Sequence, residues 1–228
     1  MKNVKNTSGR SRLAGCVGIL VLFWPLVGAA ADSPKAVAVQ VAEALRAGDV
    51  NAFVAGFDAT DEEVEFLNSL GTFAAAAVDF RDKFIKAYGL DYWNAFQNYD
   101  DPPGAHDFAF TNVTEAQVAE LKALDDAKLR ETRQVKLPNT ATVQSLVERD
   151  GQWFIDASTM LPPNASMAAM TRHVKATTAI VERYAKLIGK DDVLARDIDH
   201  DMGRALHEFQ SGRPSPEPAR IHPDAFEN

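Results

Sequence analysis

Between Phe66 and Tyr88 an apolar side chain recurs every third or fourth residue: Phe66, Leu70, Phe73, Ala77, Phe80, Phe84 and Tyr88. That spacing is the repeat of one helix face, so the stretch must bury one long stripe. Thr60 and Glu63 form a capping box at its start. Asp79–Lys83 and Asp82–Lys86 are acid-before-base pairs at i,i+4 and belong on the wet side. Gly71 marks a place to kink or split the helix, and Gly89 its end. Tyr92, Trp93, Phe96 and Tyr99 follow, so eight of the 20 aromatic residues fall between 73 and 99. The core, and any pocket, should lie there.

The chain before this helix opens with an export pattern. Residues 1–15 are polar and basic, Cys16 to Ala31 are apolar, and Ala29-Ala30-Ala31 precede Asp32. A basic start, an apolar middle and small residues at positions −3 and −1 make a secretory leader, with cleavage expected after Ala31. The run of 16 residues is short for a bilayer span and holds Pro25. The alternative is an anchor over residues 16–31. Residues 1–31 carry four basic side chains and no acid, so the remainder holds 20 basic and 32 acidic ones, net −12. Such a balance argues against nucleic acid and against anionic lipid as partners, because both need a basic face. Cys16 is the one cysteine. The body therefore has no disulfide, no zinc–thiolate site and no cysteine nucleophile.

Capping and spacing lay out the rest. Ser33 caps a first helix with Pro34 at its first position. Gly48 ends it, and Asp49 caps a second, Val50 to Phe57. Thr114 caps a helix carrying Val118, Leu121 and Leu124. Residues 128–137, 140–149 and 152–158 read as strands joined at Pro138-Asn139 and Asp150-Gly151. The Asp-Gly pair suits a type I′ hairpin that sets Arg149 against Gln152, Val147 against Phe154 and Leu146 against Ile155. A helix over 167–188 turns Val174, Val181, Tyr184 and Ile188 inward and ends at Gly189. Asp191 or Asp192 caps a last helix with Leu194, Ile198, Met202, Ala205 and Phe209 inward. Residues 211–228 hold four prolines and little periodicity, which reads as a disordered tail. The expected fold is α+β: a curved antiparallel sheet, a meander over 128–158, packed by helices, with two extra helices at the carboxy end. The expected divisions are a leader (1–31), an α+β domain (32–163), a helical pair packed on it (164–210) and the tail (211–228).

Leu-Arg-Ala-Gly-Asp-Val-Asn-Ala-Phe (45–53), followed by Leu-Val-Glu-Arg-Asp-Gly-Gln-Trp-Phe-Ile-Asp (146–156), resembles exported members of the nuclear transport factor 2-like superfamily over residues 34–160. The resemblance implies an α+β cone in which a curved sheet wraps around helices. It fixes no chemistry, since that fold hosts isomerases, dehydratases, cyclases and binding modules. Its enzymes set an Asp–His or Tyr–Asp pair inside the cone.

The side chains able to supply such chemistry are few. Asp156 shares an apolar strand face with Val143, Val147 and Phe154, where a desolvated carboxyl can serve as a base; at a wet strand end it cannot. His106 follows Pro102-Pro103-Gly104, in a solvated loop or at a site. Tyr88, Tyr92, Trp93, Phe96 and Tyr99 line a pocket for an apolar ligand or simply fill the core. Asp197, His200 and Asp201 fall at i, i+3 and i+4 on the last helix, a spacing that can hold a divalent metal or merely be its polar side. Phosphate-loop, dinucleotide, zincin and nucleophile-elbow motifs do not occur. The expected function is that of an exported module, without cofactor, binding a small apolar ligand or a protein. The rivals are a small lyase or isomerase using Asp156 or His106, and an assembly protein of the envelope with 167–209 as partner-binding arm.

Overall fold

The structure is a computed structural model that describes residues 31–97, 112–140, 142–160, 165–216 and 218–226. Tyr99 and His106 lie outside the described residues. Among the described residues, no helix is long and apolar enough to cross a membrane.

Helix α1 (Pro34–Ala47) begins where Ser33 Oγ accepts the Ala36 N–H and stops at Gly48, φ +68°. A Cβ at Gly48 would stand 3.0 Å from the Ala75 Cα, so the turn is jammed against the long helix. Asp49 caps α2 (Val50–Ala55), which leads through β1 (Phe57–Asp58) into α3 (Asp61–Tyr88). The Thr60–Glu63 box is formed. Gly71 does not split α3, which runs unbroken past it. A Cβ there would meet Val50 Cγ1 at 2.9 Å and the Phe53 ring at 3.3 Å, so the glycine serves close approach by α2. The chain continues through α4 (Leu90–Gln97), α5 (Glu115–Lys122) and α6 (Asp126–Thr132).

The fold is α+β, with a small mixed sheet of four strands in the order β1-β4-β3-β2. It comprises β2 (Gln134–Val135), β3 (Gln144–Arg149) and β4 (Gln152–Asp156), with β1 parallel to β4. The hairpin has the expected register, including Leu146 opposite Ile155 and Val147 opposite Phe154. Both turn residues have positive φ, Asp150 at 53° and Gly151 at 77°, as a type I′ turn requires. The first half of the first expected strand, 128–137, is helix instead. Asp125 accepts the Ala127 N–H as a cap, and an Asp126–Arg130 pair one turn apart supports α6. Only residues 134–135 then pair with β3. Buried Gln144 secures that end: its Oε1 accepts the Leu137 N–H at 3.0 Å, and its Nε2 donates to the Thr142 carbonyl at 2.9 Å.

Helices α7 (Met167–Ala185) and α8 (Ala195–Ser211) follow. The expected aspartate cap of α8 is absent. Leu194 is its N-cap, without a side-chain bond, and is exposed rather than inward, as is Phe209, which stacks on His173. The expectation of a disordered tail is corrected for the described residues beyond α8. The Asp201 carboxylate accepts the N–H groups of Arg220 and Ile221 at 2.8–2.9 Å. Ile221 is buried, the Arg183 guanidinium lies 3.9 Å from the Phe226 ring centroid, and Lys190 Nζ donates to the Ala225 carbonyl. Prolines suppress helix and strand but not docking by such isolated contacts.

Two apolar cores share α3. The first holds Val37, Val41, Leu45, Phe53, Leu146, Trp153 and Ile155, with Leu67 and Ala74 from α3. The second holds Phe66, Phe73, Phe80 and Phe84 from α3, Trp93 and Phe96 from α4, and Val181, Ile198 and Leu206 from α7 and α8. Leu70 touches both.

Candidate functional site

The aromatic cluster singled out in the sequence is packed against itself. Phe84 has ring contacts with Phe80, Tyr88, Trp93 and Phe96 at centroid distances of 5.0–5.8 Å. Trp93 and Phe96 stack at 5.4 Å. The Tyr88 hydroxyl donates to the Val193 carbonyl at 2.9 Å and accepts the Gly189 N–H, tying the end of α3 to the α7–α8 turn. Tyr92, by contrast, is 61% exposed. Core packing therefore occupies Tyr88, Trp93 and Phe96.

The titratable candidates are also engaged. Asp156 Oδ1 accepts the Ser158 N–H at 3.0 Å and the Ser158 hydroxyl at 2.7 Å, which caps the 3-10 turn after β4. On α8 the His200 Nδ1 lies 2.8 Å from Asp201 Oδ1, and both Asp201 oxygens take tail amides. Asp197 sits 3.7 Å from Arg196 on the same helix. Among the described residues no group of three or more His, Cys, Asp or Glu is disposed to hold a metal ion. Burial, with help from the Asp201 carboxylate, pushes the Tyr184 phenol up, so it stays protonated and donates to the Asp201 carbonyl at 2.9 Å.

Among the described residues, Asp199 is the one carboxyl displaced far from its usual range. Burial pushes it up to about 6, against the opposing pull of His200 and Arg220. Its folded value exceeds its unfolded value near 4, so the folded chain binds the extra proton between those limits. Stability is fully present below about pH 4 and declines as pH rises through about 6. Allowing for solvent screening of a partly exposed group, the decline is about 1–2 kcal/mol. Asp199→Asn is expected to remove it, seen as a flatter dependence of the urea midpoint on pH between 4 and 7.

Of the grooves on the described surface, two bear on a binding role. One, of about 520 Å³, runs between α3 and α7, where Asp61, Glu65, Asn68 and Glu182 line it beside Val64 and Ala179, with Lys175 bridging to Glu65 at 2.8 Å. The other, of about 590 Å³, lies between the α5–α6 pair and residues 134–139. Its floor and walls include Leu121, Leu124, Leu129 and Pro138, with Leu124 37% exposed. Glu120 and Asp125 are balanced by Lys128 and Lys136. Among the described residues, this groove follows the unpaired side of β2, the last strand of the sheet. The Leu146 N–H donates to the Arg133 carbonyl at 2.9 Å, and Val135 pairs with Gln144. Ladder alternation therefore turns Arg133 and Val135 toward β3, and the peptide groups of Gln134 and Lys136 away from it. Val135 and Leu137 are buried while Gln134 and Lys136 are exposed.

Sequence reasoning missed this groove because it extended the strand through 128–133. The signal that could have revealed it is Asp125 followed by the Asp126–Arg130 spacing, a capped helical turn. Compared with family models, with curated proteins and with solved structures, the chain has no match.

Proposed function

We propose that the chain is an exported, non-catalytic binding module whose partner is a protein. It takes an extended segment of that partner along the open edge of β2. The observation that carries this reading is the coincidence of outward peptide groups at Gln134 and Lys136 with a groove that runs beside them and exposes Leu124. An added strand gains main-chain hydrogen bonds from such an edge, and its alternate side chains drop into the groove. The balanced charges favour a segment that is apolar and carries little net charge. Pro138 closes the edge, so only a few residues pair, which points to modest, micromolar affinity. Export rests on the leader pattern of residues 1–31. From the nuclear transport factor 2-like resemblance this reading keeps only the hairpin of 146–156.

Lys136→Pro tests it. The substitution removes an outward N–H and leaves the pairing of Val135 with Gln144 in place. Peptides selected by display on the chain from Ala31 onward are expected to bind the variant at least tenfold more weakly, at nearly unchanged melting temperature. Selected peptides that bind wild type and variant equally, or that map to the α3–α7 groove, would overturn the proposal.

A further inference from the structure

The chain is tied down before α1 begins. The Ala31 carbonyl accepts the Trp153 N–H at 2.8 Å, and the two residues form an antiparallel bridge. Ala31 is only 7% exposed and belongs to the first core. Next to it, the Asp32 carbonyl accepts Arg130 Nη2 at 3.3 Å, and the Lys35 N–H donates to Asp126 at 3.0 Å. On the same outer side of β4, the Gly56 carbonyl accepts the Ile155 N–H at 2.9 Å. Ala31 and Gly56 thus take the alternate outward amides of one strand, at 153 and 155.

Loss of Ala31 would strip the first of these. Trp153 is 2% exposed, so its N–H would be left unpaired in the core. Its indole Nε1 already has no hydrogen-bond partner, lying instead in a ring that faces Arg130 and Arg133 at 5.4 and 5.6 Å. A cut after Ala31 therefore conflicts with the fold. The sequence offers two cuts that do not. Gly28 and Ala30 flank the Ala30–Ala31 bond at −3 and −1, and Val27 and Ala29 do so for Ala29–Ala30, all short side chains.

We propose that the leader is removed on the amino-terminal side of Ala31, and that Ala31 stays with the body as the residue closing the outer edge of β4. The proposal rests on the export reading. The step is hydrolysis by an endopeptidase that accepts small residues at −3 and −1. One water is added across the peptide bond, leaving a carboxylate on the leader and an ammonium on the mature chain.

Intact-mass measurement of the processed protein, recovered from cells expressing the full chain, tests the position. A first residue of Ala30 or Ala31 is expected. A first residue of Asp32 overturns this inference and leaves export standing, whereas a full-length mass overturns both. Two purified forms test the reason. The form beginning at Asp32 is expected to melt lower than the form beginning at Ala30 by on the order of 4 °C. Equal melting would overturn the role assigned to Ala31.

Discussion

Removal of residues 167–228 is expected to leave a chain without a cooperative unfolding transition. The deletion takes away α7, α8 and the tail, and so uncovers the α3 face bearing Phe66, Phe73, Phe80 and Phe84. It also removes Val174, Val181, Tyr184, Leu187, Ile198, Met202 and Leu206 from the second core. Each such side chain is worth about 1.5–3 kcal/mol on burial. Seven together are worth on the order of 10–20 kcal/mol, comparable to or above the roughly 5–15 kcal/mol by which a domain is typically stable. Differential scanning calorimetry and near-ultraviolet circular dichroism read the outcome. A truncated chain that keeps a sharp endotherm would instead make α7 and α8 a separable arm, as an assembly protein would need.

Phe84→Ala carries the next largest expected effect, a loss of about 3–5 kcal/mol. Phe84 is 1% exposed and holds four rings in contact, from Phe80, Tyr88, Trp93 and Phe96. Truncation there leaves a cavity that packed neighbours cannot fill by small shifts. Tyr92→Ala, at an exposed position of α4, is expected to change stability by less than about 0.5 kcal/mol. The pair distinguishes a filled core from a ligand pocket. Urea denaturation measures both, and a Phe84→Ala variant within 1 kcal/mol of wild type would contradict the packing described for α3 and α4.

Local chemistry was legible where one short stretch decides the structure. Ser33, Asp49, Thr60 and Thr114 all cap as their side chains require, and the Asp150-Gly151 turn fixes the hairpin register residue by residue. Most of what eluded the sequence depends on distant partners. Gly71 reads as a helix breaker until α2 is laid across it. Lys128, Leu129, Arg130 and Glu131 are good helix formers, and the Asp125 cap with the Asp126–Arg130 pair adds to that preference, a signal the strand reading of 128–137 passed over. Four prolines disguised a tail that is held by a buried carboxylate on α8, a partner 19 and 20 residues away.

The candidate site followed the same division. Asp201 and His200 were visible as a polar pair, but their use as a tail anchor depends on the backbone of Arg220 and Ile221. The aromatics of 73–99 were visible as a cluster, yet whether rings enclose a space or fill it is a matter of three-dimensional packing. The groove beside β2 exists because α6 is a helix, so a one-element error in secondary structure concealed it.

Amide hydrogen exchange along residues 133–137 tests the central claim most directly. In the free protein the Val135 amide is expected to be protected by β3, while the amides of Gln134 and Lys136 exchange at rates near those of open chain. Saturation with a display-selected peptide should slow Gln134 and Lys136 and leave Val135 as it was. Protection of Gln134 and Lys136 in the free protein, or unchanged exchange at both on peptide binding, would contradict the open edge and the docking role built on it.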